Sequence, residues 1–372
     1  MNEPRLAVVS MDIRRDLILP MRGFSEFRLT HFYRHRPYDD LLPDDMDESL
    51  VQFSNPFDLF RKLQQTRPDL VQGVEPLAIS QLPYQAVILL YSILHRRPMF
   101  CSAHISVPIE KKYNLLVAVL LRILLLPLRH FVRIFFYLNR GGRRNLRWMG
   151  VPEEKLIGHM YGTWGIDPTE FTPEIDGREP AWNPCGVILF VGRLHAEKGV
   201  FDLLDAYGRI VRDLPEVRLV FIGEGPDRNA LERQIAKHNY SRVSLLGTVK
   251  NRDLPPYMRA AALFVSPAVA TKRWEEYVGM TNIQAMACGT PVVSTRSGAI
   301  PEYVPDGKAG ILVPEHDPVA LADAILLLLT QDSLRQRMGE YGREYAVEHY
   351  DARKNVKMAE DYLLSLLEDI GH

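Results

Sequence analysis

The chain has 372 residues, of which 47% are hydrophobic and 24% are charged, and its formal net charge at pH 7 is −1. This composition is ordinary for a globular protein, and the near-neutral charge excludes nucleic acid as the expected partner. The length predicts two domains, because a single hydrophobic core seldom extends over so many residues.

The N-terminus and the cysteine pattern indicate a cytoplasmic protein. Residues 1–12 contain no apolar run of the kind that forms a secretory signal. Cys101, Cys185 and Cys288 are far apart and form no CxxC pair. We therefore expect three buried thiols in a reducing compartment, and neither a disulfide framework nor a zinc site.

The first half of the chain alternates short apolar runs with helical patterns, which is typical of βα units. A helix is predicted within residues 55–68. Strands are predicted at residues 5–11, 27–33, 70–74, 99–105, 133–138 and 156–162.

Residues 113–138 are very apolar, but Arg122, Pro127, Arg129 and Arg133 interrupt them before a membrane-spanning length is reached. The three arginines fall close together on a helical wheel, which predicts an amphipathic helix that ends at the proline, followed by a buried strand. Two interpretations stay open. The helix is either a core helix whose arginines reach solvent, or part of a peripheral membrane contact made by residues 113–147.

The second half is more regular, and residues 165–186 before it are rich in proline, glycine and acids, as in an interdomain linker. We predict an α/β fold with a doubly wound domain at 1–164, a second at 187–345, and a C-terminal helix within 346–372 that packs back on the first domain. The second domain is predicted to have strands at 187–193, 217–223, 243–249, 263–267, 291–295 and 310–314, with helices at 199–211, 227–238, 252–261, 281–287 and 318–329.

The first candidate site is the segment "VGRLHAEKGVFDLL", where a predicted strand ends at Gly192 and a helix begins near Gly199. Arg193 and Lys198 lie between them. A guanidinium, an ammonium and the free N–H groups of a helix N-terminus together favour phosphate. A solvated loop with no ligand is the alternative for this segment taken alone.

Two further loops carry candidate residues. In "FIGEGP", Gly223 and Gly225 allow a close approach of the backbone to a ligand, although a plain tight turn explains them equally well, and the segment lacks the dinucleotide fingerprint. In the third loop, Glu276 and Gly279 precede a short helix, and Gln284 lies one turn inside it. A carboxylate and an amide so placed suit the hydroxyls of a sugar-containing ligand.

The second half of the chain resembles the nucleotide-sugar domain of family 4 glycosyltransferases, which have the GT-B fold of two Rossmann-like domains facing each other across a cleft. The resemblance covers about half of the chain. "GTWGIDPTEFTP" is also similar to the family's hinge, whereas the first half is similar only in outline, through "RPDLVQG" and "RPMFCSAH". The motifs that carry it are "VGRLHAEKG", "FIGEGP", "LLGTV", "WEEYVGMTNIQAMACGTPVVST", "SGAIPE" and "GILVPEHDPVALADAI", in that order.

The resemblance implies an enzyme that moves a sugar, with retention, from a nucleotide-diphosphate sugar to an acceptor hydroxyl of a glycan, a lipid-linked molecule or a small molecule. No metal and no cofactor are implied, and the N-terminal domain would be the acceptor side. Arg193 and Lys198 would hold the diphosphate, and Glu276 and His104 would contact the transferred sugar. The other implied donor contacts are the close turns at Gly192 and Gly223, the backbone N–H groups of Gly279 and Met280, Gln284 at the ribose, and Thr248 and Val249 at the base.

Two departures from the family pattern affect these expectations. The family usually has glutamate where this chain has Gln284, and a neutral amide is a weaker acceptor for ribose hydroxyls than a carboxylate, by about 1 kcal/mol. The first βα loop, residues 11–23, lacks the usual paired glycines.

Two rival functions follow from the sequence. "DMD", with Asp45 and Asp47, mimics the acidic pair of a metal-dependent transferase, although a solvated acidic turn explains it better. Gln284 and the unusual first loop instead suit a non-catalytic partner that binds a nucleotide sugar without turning it over.

Overall fold

The structure is a computed structural model that describes residues 3–36, 41, 45–182 and 186–368. The chain divides into two compact units, Met1–Trp164 with Ala352–His372 and Gly165–Asp351. Cys101 and Cys288 are buried, as expected, and Cys185 lies outside the described residues.

The first unit is built on a seven-stranded parallel sheet in the order β3-β2-β1-β4-β5-β6-β7. The order reverses direction between β1 and β4, so the sheet is doubly wound, as predicted. Its strands are β1 (Arg5–Asp12), β2 (Arg28–His35), β3 (Leu50–Gln52), β4 (Leu70–Gln72), β5 (Met99–Ala103), β6 (Val132–Tyr137) and β7 (Leu156–Gly158).

Helices cover both faces of this sheet, because each strand alternates buried side chains between two apolar cores. One core takes side chains from α2, α3, α5, α6 and α7, and the other takes them from α1 and α15. The helices are α1 (Arg15–Met21), α2 (Pro56–Thr66), α3 (Leu82–His95), α4 (Ile109–Lys112), α5 (Leu115–Leu124), α6 (Leu126–Phe131), α7 (Arg140–Met149) and α15 (Ala352–Glu368).

The prediction of one amphipathic helix with three aligned arginines is wrong. Arg122 lies on α5 and Arg129 on α6, but Arg133 lies on β6. Pro127 does not simply end the helix; it stands in the first turn of α6, where its missing N–H costs nothing. In the described part of the chain, no helix is long and apolar enough to cross a membrane.

The second unit repeats the architecture with six parallel strands in the order β10-β9-β8-β11-β12-β13. Its strands are β8 (Val187–Val191), β9 (Arg218–Ile222), β10 (Val243–Leu245), β11 (Leu263–Ser266), β12 (Val292–Thr295) and β13 (Gly310–Val313). Its helices are α8 (Val200–Asp213), α9 (Arg228–Lys237), α10 (Pro255–Ala260), α11 (Met280–Ala287), α12 (Ile300–Tyr303), α13 (Pro318–Thr330) and α14 (Asp332–Tyr350).

The segments at the edges of the second unit differ from the expected pattern. The boundary predicted after residue 345 falls inside α14, and the chain leaves this unit at Asp351 instead. Residues 165–182, predicted as linker, are held on the second unit. The Arg343 guanidinium donates to carbonyls at both Pro168 and Phe171, and the buried side chain of Arg259 pairs with Asp176 and Glu179.

The order of the second sheet reverses between β8 and β11: the strand after β8 lies on one side of this pair, and the strand after β11 lies on the other side. The carboxyl edge of the sheet at such a reversal is the place where doubly wound folds bind ligands. The loop after β8 carries Arg193 and Lys198, and the loop after β11 carries Glu276. The topology thus places three of the predicted site residues at one point.

Two buried histidines make the first unit sensitive to acid. Burial lowers the pKa of His31 and of His159 to about 4. Below pH 6.5 the unfolded chain takes up a proton at each histidine, whereas the folded chain does so only near pH 4. The free energy of unfolding therefore falls as the pH decreases through this window.

Replacing His159 with phenylalanine should reduce this acid sensitivity, because the ring lies among Phe136, Trp164 and Tyr362 and the substitution removes one of the two titrations. Between pH 7 and pH 4.5, we expect the free energy of unfolding to fall by about 2 kcal/mol less in the variant than in the parent chain. Urea unfolding at the two pH values measures this difference. The exposed His238→Phe is the control. Equal pH dependence in all three proteins would contradict the assignment.

Candidate functional site

The turn after β8 is shaped by a close approach of two loops. Gly192 and Arg193 follow the strand, a short 3₁₀ turn covers Ala196–Lys198, and Gly199 with φ of +70° precedes α8. A Cβ at Gly199 would overlap the carbonyl oxygen of Pro267, which follows β11. Glycine at this position therefore allows the loop after β8 to lie directly against the loop after β11.

Lys198 and Glu276 form an ion pair between these two loops. The Lys198 Nζ lies 2.6 Å from the Glu276 Oε2, and the side chains are 22% and 14% exposed. The same ammonium lies 4.5 Å from the ring centroid of Trp274, within the range of a cation–π contact. The pair is shielded from water on several sides but keeps an open edge, so each charge has a partner without being sealed from a ligand.

Arg193 is held by a residue on its own turn. Its guanidinium donates to the carboxylate of Glu197, and 56% of the arginine side chain is exposed. Glu197 is in turn fixed because its backbone carbonyl accepts the N–H of Val269, in the loop after β11. Both predicted phosphate-binding cations thus have carboxylate partners within the second unit.

The loop that carries Glu276 is anchored by the turn after β12. The Glu276 carbonyl accepts the N–H of Ala299 at 2.9 Å. Gly298 has φ of +51°, and a Cβ there would overlap the same carbonyl oxygen. Gly279, with φ of +77°, then turns the chain so that α11 begins at Met280. The carboxylate is therefore positioned by backbone contacts on both sides.

Buried polar atoms without partners surround the start of α11. Gln284 is 5% exposed, and its Oε1 accepts no hydrogen bond from the described residues. Both side-chain polar atoms of Asn282 and the Ser297 Oγ are in the same condition within that part of the chain. An unpaired buried polar atom costs about 1–3 kcal/mol, so ligand atoms or water that pair with these groups would stabilise this part of the protein.

The glycines after β9 also permit a close approach. Gly223 has φ of +138°, and a Cβ there would overlap the carbonyl oxygen of Gly192. Its N–H donates to the carbonyl of Gly247 at 2.7 Å, which places the loop with Thr248 beside it. The strand predicted through residue 249 ends at Leu245, so Thr248 and Val249 lie in a loop after β10. The turns after β8, β9 and β10 therefore lie next to one another.

His104 belongs to the first unit, where it follows β5. Its backbone N–H donates to the Glu75 Oε2 at 2.5 Å, and its Nε2 lies 3.1 Å from the Ser102 Oγ. Its side chain is 39% exposed. Glu75 follows β4, so the carboxyl ends of β4 and β5 jointly fix the position of this histidine.

The acidic pair at residues 45–47 is engaged with arginines. Asp45 lies 3.6 Å from Arg15, and Asp47 lies 3.0 Å from Arg22. A hydrogen bond from the Ser49 hydroxyl is the main cause that lowers the pKa of Asp47. Among the described residues, no group of three or more His, Cys, Asp or Glu side chains is close enough to hold a metal ion together.

Several residues of the site were not predicted. Glu197 lies four positions after Arg193, a spacing at which opposite charges meet in helical segments, and this signal was available in the sequence. Trp274, Asn282 and Ser297 gave no comparable signal, because their roles depend on contacts between loops that are distant along the chain.

Residues 177–345 match the family model of glycosyl transferases group 1. The chain is 35% identical over 194 residues to a D-inositol 3-phosphate glycosyltransferase of Corynebacterium jeikeium, and this match covers 49% of this chain and 46% of that protein. It is 36% identical over 165 residues to a phosphatidyl-myo-inositol mannosyltransferase of Mycobacterium leprae, with 44% and 42% covered. The chain thus matches less than half the length of each of these two relatives.

The fold agrees with that of a solved structure over almost the whole chain. Anabaena Alr3699/HepE, crystallised in complex with UDP and glucose, superposes with a TM-score of 0.75 at 17% sequence identity, and the match covers 98% of this chain and 99% of that one. The prediction of a GT-B α/β fold with two Rossmann-like units is therefore confirmed. The predicted resemblance of the second half to a glycosyltransferase family is confirmed by the match of residues 177–345 to glycosyl transferases group 1.

Gly223→Ala should destabilise the second unit, because the added methyl group must displace the Gly192 carbonyl in addition to straining a positive φ. The matched control is Gly307→Ala, where φ is +74° but nothing lies within 4 Å of the new Cβ. We expect Gly223→Ala to lower the free energy of unfolding by at least about 2 kcal/mol more than the control, measured by denaturant titration. Equal losses would show that the two turns do not touch.

Proposed function

We propose that the chain is a retaining glycosyltransferase that uses a nucleotide-diphosphate sugar. The premise is the match of residues 177–345 to glycosyl transferases group 1. The observation that carries the proposal is the Lys198–Glu276 ion pair, with Arg193 beside it, at the point where the second sheet reverses direction. The ammonium of Lys198 can bind a diphosphate, and the carboxylate of Glu276 can accept a hydrogen bond from a sugar hydroxyl.

The cations would bind the diphosphate by exchanging partners. Lys198 and Arg193 are each neutralised by a carboxylate in the free protein, and a diphosphate carries more negative charge than either carboxylate. When Lys198 turns to the phosphate, Glu276 is released to accept a hydroxyl of the sugar. The N–H groups at the start of α8 and of α11 would add partial positive charge at the same edge of the sheet.

The proposed reaction needs stabilisation of a leaving group above all. The bond between the sugar carbon and the phosphate oxygen breaks, and its electron pair goes to the diphosphate. The acceptor oxygen then forms a bond to the same carbon from the same face, and the hydroxyl proton passes to the departing phosphate oxygen. Fixed positive charges beside that oxygen lower the barrier without a metal ion, since their position changes little during the step.

The unpaired oxygen of Gln284 supports its assignment to the ribose. A ribose hydroxyl can donate to this Oε1, which no described protein group satisfies. Glu75 and Ser102 hold His104 in place within the first unit, and the loop with Thr248 and Val249 in the second unit would meet the base. The crystallised complex of Alr3699/HepE with UDP and glucose favours a donor of this class.

The acceptor is proposed only as a hydroxyl-bearing molecule. The two relatives carry names that include inositol 3-phosphate and phosphatidyl-myo-inositol, and both are matched over residues of the second half rather than over their full length. A screen of UDP, GDP, ADP and their sugars by thermal shift identifies the donor first, because a ligand that binds only the folded state raises the melting temperature.

Replacing Lys198 with methionine, or Arg193 with glutamine, should lower kcat by about 10²–10³-fold, because each change removes a charge that stabilises the departing diphosphate. The measurement is sugar release or transfer from the donor identified by the screen. The exposed Lys237→Met, on α9, is the control and should leave kcat unchanged.

Three outcomes would change the proposal. Donor binding without turnover in the parent chain would indicate a non-catalytic partner. Turnover that survives in both charge variants would contradict the site, and turnover abolished by a chelator would indicate a metal-dependent reaction.

Gln284→Glu should tighten nucleotide binding by about fivefold, because a carboxylate accepts ribose hydroxyls more strongly than an amide. Gln284→Met should weaken binding, since the hydroxyls lose their acceptor. The dissociation constants are measured by calorimetry with the ribonucleotide and with its 2′,3′-dideoxy analogue. Equal effects on both nucleotides would show that residue 284 does not contact the ribose.

A further inference from the structure

Helix α5 in the first unit has a broad apolar face that the described residues leave exposed. Its outward side chains are between 47% and 79% exposed, and Leu115 and Leu116 are the most exposed of them. Only Ala118 and Leu121 on this helix are buried in the core. The apolar face of α5 consists of Leu115, Leu116, Val119, Leu120, Ile123 and Leu124.

The neighbouring helices extend this surface. Helix α6 follows α5 directly and packs against α3, and Phe131 at its end is 48% exposed. On α3, Leu90, Ile93 and Leu94 are exposed at helical spacing. Scattered exposed apolar side chains are normal on a soluble protein, but a contiguous group of this size marks an interaction surface.

Basic residues predominate around this surface, although Arg97 pairs with Asp69, and Arg143 and Arg147 pair with Glu153. Residues 76–152 contain eleven lysines and arginines and a single acid, Glu110, although the whole chain has a net charge of −1. Lys111 and Lys112 lie on α4, which packs against the start of α5. Arg122 emerges beside the apolar face, with its guanidinium 5.8 Å from the ring centroid of Trp148, and Arg133 is exposed on β6.

This combination distinguishes between possible occupants. A second copy of the chain would meet the face through a twofold interface, which would bring the same basic residues opposite one another and repel. A negatively charged bilayer surface attracts the basic residues, and its acyl chains accept the leucines. A ten-residue helix is about 15 Å long, so α5 would lie in the plane of the interface.

We propose that the apolar face of α5 inserts into the headgroup region of an anionic lipid bilayer, while Lys111, Lys112 and Arg122 contact the anionic headgroups. The side chains of α3 and α6 named above would contact the same surface. The proposal is independent of the proposed sugar transfer, because it concerns binding that requires neither donor nor acceptor.

Vesicle sedimentation tests the proposal on the full chain. We expect the chain to sediment with vesicles of phosphatidylglycerol and phosphatidylcholine, to bind pure phosphatidylcholine at least tenfold more weakly, and to be released from the anionic vesicles by high salt. The triple variant Leu116→Gln, Leu120→Gln, Ile123→Gln should bind anionic vesicles at least tenfold more weakly. Arg122→Gln should weaken binding by about fivefold.

The matched control is Phe57→Gln with Ile175→Gln, which removes two apolar side chains that are 84% and 81% exposed elsewhere. It should bind vesicles like the parent chain. A circular dichroism spectrum and a melting temperature close to those of the parent chain show that each variant is folded.

Two results would overturn the proposal. Undiminished binding of the triple variant to anionic vesicles would show that the apolar face does not meet the bilayer. Light scattering that finds a dimer for the parent chain and a monomer for the triple variant would show that a second copy covers the face instead.

Discussion

The Lys198–Glu276 ion pair is the contact on which the arrangement of the candidate site depends. It joins the loop after β8 to the loop after β11, and these loops start from the two strands where the sheet reverses direction. Gly199 permits the approach, because a side chain there would collide with the Pro267 carbonyl of the opposite loop, and Gly298 permits the turn after β12 to lie against Glu276. The backbone thus brings the two charges together, and the charges in turn keep each other in place until a ligand arrives.

The site is preorganised for negative charge and for hydroxyl groups at different points. The cations are already desolvated in part and held by carboxylates, so in the proposed complex a diphosphate would replace one anionic partner with a stronger one. The unpaired polar atoms at the start of α11 have no such substitute partner among the described residues, and they lower the stability of the free protein. A ligand that satisfies them recovers that energy on binding, which is a common property of functional sites.

The sequence predicted the second unit better than the first, for physical reasons. Every strand predicted in residues 187–314 is present, because each apolar run is short, β-branched and bounded by a glycine or proline turn. In the first unit, the unpredicted α3 is apolar around most of its circumference, and β3 has only three residues, so neither has a clear period. The prediction that Arg133 and Arg122 share one helical face was wrong, because the stretch that contains Pro127 forms two short helices and a strand rather than one helix.

The candidate residues that the sequence could bring together are those that are close to one another along the chain. Gly192, Arg193 and Lys198 are close in sequence at a strand–helix turn. In a parallel sheet, such a turn always lies at the carboxyl edge. The contact between Trp274 and Lys198 and the unpaired atoms of Asn282 depend on side-chain packing between loops, which no local pattern encodes. Residue types could therefore lead to the proposal of a diphosphate site, but not to the ion pair between Lys198 and Glu276.

A crystal structure with a bound nucleoside diphosphate tests the partner exchange most directly. The compound is the one that gives the largest thermal shift. We predict that the Lys198 Nζ moves from Glu276 to a phosphate oxygen and that the Arg193 guanidinium also contacts the diphosphate. A diphosphate bound elsewhere, with the Lys198–Glu276 pair intact at 2.6 Å, would contradict the account.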